Sequence, residues 1–143
     1  MPQTIFLTEL GVNFRRYLPD ALLPRCYPVR AMIDAGLIVA LSSDAPVVVE
    51  ESPLAGLEAA LTRLDAEGFA IAPEQAITAA EGLYAYTVGG ALAAGDGDRG
   101  RIAPGLLADA VVLERDPLAV PAREVGAIPV SITILDGSIV FER

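Results

Sequence analysis

Residues able to do chemistry are sparse in this sequence, and the best placed of them is Asp44. It follows the apolar run Leu37-Ile38-Val39-Ala40-Leu41 and lies within Ser42-Ser43-Asp44-Ala45-Pro46. A short run rich in β-branched residues, bounded by Gly36 and by turn-forming residues, predicts a strand buried on both faces. Helical patterns on either side give the βα alternation of a parallel sheet. In such sheets functional groups gather where strands end, and Asp44 is the first ionisable residue past this end. A carboxylate there can hold a cation or move a proton. Ser-Asp-Ala-Pro is also ordinary turn chemistry, with the Asp side chain holding backbone N–H groups, and the pattern leaves both readings open.

Around Asp44 the other candidates are few. Thr4–Thr8 (TIFLT) reads as a second short buried strand, and Glu9 lies just past it. Glu9 and Ser43 are therefore candidate substrate-binding neighbours. An irregular segment follows through Pro19 and Pro24; its Phe14, Tyr17, Arg15 and Arg16 read as packing and solvated groups. Cys26 has no histidine to activate it and reads as a small buried or half-buried thiol. Glu50 and Glu51 read as solvated charge ahead of a helix, since adjacent side chains point apart. The sequence contains no histidine at all. Catalytic zinc takes three protein ligands and favours imidazole, so this sequence has few donors to offer such a site.

The elements that must position these groups are legible in patches. Val29, Met32 and Ile33 after Pro28 predict a short helix stopped by Gly36. Ser52-Pro53 is an N-cap followed by a first-turn proline, with Leu54, Leu57, Leu61 and Leu64 on one face and Gly68 as the stop. Pro73 opens a short turn, and Thr78 to Glu81 matches a capping box for a helix over 79–93. The stretch GDGDRGR follows a helix rather than preceding one, which makes it a linker and not a phosphate cradle. Pro104-Gly105 predicts a type II turn, Ala110–Leu113 a strand, and Asp109 a residue bonding backbone. Asp136-Gly137 between Ser131–Leu135 and Ser138–Phe141 predicts a hairpin. The division expected is a βαβα segment over 1–96 and an antiparallel segment over 97–143.

Composition limits what the chain can be. Its 143 residues, 53% of them hydrophobic, suffice for one packed core. A net charge of −9 and a pI near 4.3 oppose nucleic acid and anionic membrane as partners. No apolar run reaches the roughly 20 residues of a membrane span, and no secretory leader opens the sequence. The single cysteine forms no internal disulfide, which fits a cytoplasmic setting.

Four stretches, in order, resemble the amidohydrolase superfamily, in particular amidohydrolase family 3: TIFLTELG, Gly36–Val47, Glu81–Thr87 (EGLYAYT) and Gly100–Leu113 (GRIAPGLLADAVVL). The resemblance implies an α/β fold, the C-terminal fragment of a (β/α)8 barrel followed by a β-hairpin piece of a small β-sandwich. Thr4–Thr8 would be the seventh barrel strand and Leu37–Leu41 the last. It further implies a metal-dependent hydrolase cutting C–N bonds other than peptide bonds, with a divalent metal, zinc in the first instance. Asp44 would bind that metal and shuttle the proton of the attacking water. The early His-x-His, the bridging lysine or glutamate and the two further histidines of the family are absent from this sequence. Two alternatives stand beside the enzyme: an inactive structural or interaction module, and a small-molecule binding module. Open strand edges predict self-association, or pairing with a chain that carries the missing barrel strands.

Overall fold

Thr4 to Tyr17 opens with β-branched and aromatic residues, yet it folds as a helix. In the computed structural model, which describes Met1–Arg143, helix α1 spans Ile5–Tyr17. The strand expected at Thr4–Thr8 and the irregular segment after it are therefore corrected. Tertiary contacts at helical spacing account for this. The Thr4 hydroxyl donates to the Gly56 carbonyl at 2.7 Å, and the Thr8 hydroxyl to that of Leu64 at 3.3 Å. Gly11 packs so tightly that a Cβ there would lie 2.7 Å from that of Asp65, and Arg15 bonds the Asp65 carboxylate. Residues 4, 8, 11 and 15 share a face only in a 3.6-residue repeat, and that face outweighs local β propensity.

Helix α2 covers Val29–Asp34, with Pro28 immediately before it and Gly36 at φ +75° closing it as expected. The run that follows is a second correction. Leu37–Leu41 is neither helix nor strand, and the molecule contains no parallel strand pair. Val39, Ala40 and Leu41 are consecutively buried, as burial on both faces requires, while Leu37 and Ile38 are exposed. Helix α3 spans Pro53–Thr62, and the Ser52 hydroxyl accepts the Ala55 N–H at 3.5 Å. It ends at Arg63, left-handed at φ +52°, well before Gly68. Gly68 instead turns the chain between Leu64 and Ala70, which form an antiparallel bridge.

The capping box at Thr78 and Glu81 is present and opens α4, Ala79–Tyr86. The expected longer helix is broken at Thr87 and continues as α5, Val88–Ala94. Strands β1 (Ala110–Leu113), β2 (Val130–Leu135) and β3 (Ser138–Glu142) form one antiparallel sheet in the order β1-β2-β3. Asp136 at φ +48° and Gly137 at φ +75° make the tight turn between β2 and β3. Asp109 accepts the Asp136 N–H at 2.8 Å, the backbone role expected of it.

Val29, Val39, Leu41, Ala60, Ile77 and Ala85 form the core cluster, drawn mainly from α2, α3, α4 and the Leu37–Leu41 run. No residue of the three strands is buried. The junction toward the sheet runs through Val125 and Ile128, both buried, and through Glu58, whose carboxylate accepts the Gly126 N–H at 2.8 Å. No helix is long and apolar enough to cross a membrane.

Candidate functional site

Asp44 sits where the buried part of the Leu37–Leu41 run emerges. Two hydrogen bonds anchor that end: Leu41 N–H donates to the Ala85 carbonyl and Ser42 N–H to that of Pro2, each at 3.2 Å. Helix α5 presses on the same run at Gly89, where a Cβ would collide with the Val39 carbonyl oxygen. Only glycine admits that approach. Asp44 itself is exposed and left-handed at φ +58°, a conformation that Asp tolerates better than most residues. Its carbonyl accepts the Val47 N–H at 3.1 Å.

The turn is held by Ser43, whose hydroxyl accepts the Ala45 N–H at 3.3 Å. The Asp44 carboxylate makes no hydrogen bond or ion pair within the chain, so it holds no backbone N–H as the turn reading expected. Ser43 and Asp44 share this turn. Glu9 lies half-buried on α1, and no hydrogen bond or ion pair joins it to Asp44 or Ser43. Two apolar hollows are present, of about 340 Å³ beside Ile33 and Tyr84 and about 810 Å³ between α4, α5 and the sheet. Neither is lined by Glu9, Ser43 or Asp44.

Elsewhere among the helices lies a buried cation that sequence reasoning missed. Arg63 is fully buried, and its guanidinium donates to three main-chain carbonyls: Ile71 at 2.7 Å, Cys26 at 2.8 Å and Tyr27 at 3.0 Å. Burial lowers its pKa to about 10, so it remains a cation at neutral pH. Tyr27 packs edge-on against Phe6, ring centroids 6.1 Å apart. Burial raises the Tyr27 phenol, and the charges of Cys26 and Asp44 push it the same way. The only hint of Arg63 in the sequence is a lone cation between Leu61 and Leu64 on an otherwise apolar face.

Cys26 is half-buried, as expected. Burial raises its thiol above the ordinary range, with Arg63 opposing, which leaves it a poor nucleophile. Arg15, expected to be a solvated or packing group, bonds Asp65 at 2.6 Å and Glu67 at 2.8 Å and lies over the Phe69 ring. Nowhere do three or more His, Cys, Asp or Glu side chains converge as a metal would need. What the turn offers is one free carboxylate on a firmly anchored support.

Comparison with known proteins gives this arrangement a context. A sequence model described as the amidohydrolase family matches residues 5–141. The N-substituted formamide deformylase of Arthrobacter pascens is 38% identical over 120 residues, 83% of this chain and 22% of that protein. A protein of Bacillus subtilis (strain 168) assigned as an amidohydrolase, YtcJ, is 30% identical over 118 residues, 80% of this chain and 22% of its own length. The chain thus spans about a fifth of the curated relatives it matches. The crystal structure of an uncharacterized metal-dependent hydrolase from Pyrococcus horikoshii OT3 superposes with a TM-score of 0.73 at 23% identity, over 84% of this chain and 25% of that one.

Proposed function

The chain belongs to the amidohydrolase family, and from that premise we propose that it supplies the C-terminal share of a site hydrolysing C–N bonds other than peptide bonds. One observation carries the reading. The family match runs through Asp44, and Asp44 carries a carboxylate free of intrachain partners at the exit of a buried run. On this reading Leu37–Leu41 is a barrel strand without its neighbours, and β1–β3 belong to the small β-sandwich beside the barrel. The single unpaired Cys26 is in keeping with a cytoplasmic setting.

A divalent metal is expected of the family, but the residues of this chain do not make up its site. There is no histidine, and no three donor side chains converge. What Asp44 itself does is hold a proton. As a carboxylate it accepts one from the water whose oxygen bonds the acyl carbon, and it returns one to the nitrogen as the C–N bond breaks. Ser43, which fixes the turn, sets the direction of that carboxylate, and Glu9 is a neighbour on the substrate side. A second reading is an inactive structural or interaction module, since the residues of this chain do not by themselves complete a metal site.

An exchange of segments separates the two. The 120-residue stretch of the Arthrobacter pascens deformylase that matches this chain is replaced by it, and release of amine from an N-substituted formamide is followed. Retained turnover, reduced about a hundredfold or more by Asp44→Asn, is the expected result. A chimera whose turnover is unchanged by Asp44→Asn sinks the assignment of this carboxylate. A folded chimera without turnover favours the inactive module.

A further inference from the structure

Exposed apolar side chains are ordinary when scattered and informative when gathered in a hollow. Four of them gather in one here. Tyr84, Ile102, Val111 and Leu135, between 51% and 89% exposed, all line the hollow of about 810 Å³ between α4, α5 and the sheet. That volume suits a small-molecule site, which is mostly apolar with a few polar groups that orient the ligand. Two cations line it. Arg99 faces Asp96 at 3.4 Å and Asp98 at 3.5 Å, whereas Arg101 makes no hydrogen bond or ion pair within the chain. Of the two acids in the lining, Asp96 is the one beside Arg99, and Asp109 accepts the Asp136 N–H at 2.8 Å. Tyr84 and Thr133 line the same hollow, and their hydroxyls form no hydrogen bond within the chain.

We propose that this hollow binds a small amphipathic monocarboxylate, its hydrocarbon part on the apolar side chains and its carboxylate on Arg101. A guanidinium matches a carboxylate with two parallel N–H donors, and this one has no acid to give up. The net charge of −9 does not forbid an anion here, because charges beyond ~8 Å are largely screened at physiological salt. The smaller hollow beside Ile33 fits such a ligand less well, since its one charged lining residue is Glu81, already held by Arg30. Neither hollow includes Asp44, so the proposal is independent of the hydrolytic reading. Its walls come from α4 and α5 on one side and β1 and β2 on the other. An occupant therefore bridges the helical part and the sheet, and stabilises the folded chain by mass action.

The test titrates the full 143-residue chain with decanoate below its micelle concentration, and with decyltrimethylammonium as the same chain length carrying the opposite charge. Binding is read from NMR amide shifts and from the urea unfolding midpoint. Decanoate is expected to shift the amides of Ile102, Val111 and Ile134, to leave those of Ile33 and Leu37 in place, and to raise the midpoint. It should bind at least about fivefold more tightly than the cation, and Arg101→Gln should remove about that factor. Gly90 lines the hollow, and a Cβ there meets nothing within 4 Å. Gly90→Leu therefore fills the space from α5 and should abolish binding without lowering the midpoint of the free chain. Should that variant not fold, Arg101→Gln and the shift map decide. No binding at millimolar decanoate, equal affinity for the two amphiphiles, an Arg101→Gln chain that binds as wild type, or shifts confined to the Ile33 hollow each overturn the proposal.

Discussion

The helices and the sheet of this molecule are held together by different means. Around α1, α3 and α4 the side chains do the holding: Leu7, Leu57 and Ile71 are almost wholly removed from water, and Arg63 is buried with them. In β1–β3 no side chain is buried, and Ile139, Val140 and Phe141 of β3 all face solvent. The sheet rests on its ladder hydrogen bonds and on one well-made turn. Stability in the helical part is therefore a matter of packing, and in the sheet a matter of backbone. A three-stranded sheet with no buried residue has little apolar cover of its own.

The largest contrast is expected from matched truncations. Leu57→Ala removes a side chain 1% exposed and should cost about 3 kcal/mol in urea unfolding. Val140→Ala on β3 should cost below about 0.5 kcal/mol. Equal losses would break the comparison. Next comes Gly56, where a Cβ would collide with the Tyr86 hydroxyl oxygen. Gly56→Ala should cost about 2 kcal/mol as overpacking, measured in the same way.

The Asp65 carboxyl sharpens the picture through pH. Its burial would raise its pKa, but the Phe69 N–H, the Arg15 guanidinium and the Glu67 N–H together hold it below the usual carboxylate range. A depressed folded-state pKa gives stability that is present above the unfolded value of ~4 and lost as pH falls through the folded one. The urea midpoint of wild type should therefore fall below about pH 4 more steeply than that of Asp65→Asn. Parallel curves would show that the pair contributes nothing. On the sheet side, Gly137→Ala places a side chain at φ +75° and should cost about 1 kcal/mol. Its effect on amide exchange should be confined to β2 and β3.

Local chemistry made part of this structure legible in advance. Ser52-Pro53, the Thr78–Glu81 box and Asp136-Gly137 each act through neighbouring atoms, so their residue types were enough. Helix α1 was not legible, because its β-branched opening is overruled by contacts with residues 56, 64 and 65, about fifty positions away. Arg63 escaped for a similar reason, since carbonyls that bury a cation leave no pattern in side chains. Of the candidate site, the place of Asp44 at the end of a buried run could be read. That Ser43 rather than Asp44 fixes the turn could not, because it depends on which side chain curls back.

The Arg63 junction has a consequence for how the molecule fails. Its acceptors are peptide oxygens, which neither take up a proton in mild acid nor vary with side-chain substitution. Acidification therefore disarms carboxylate pairs such as Arg15–Asp65 and Arg30–Glu81 while the knot joining residues 26–27 to residue 71 stays tied.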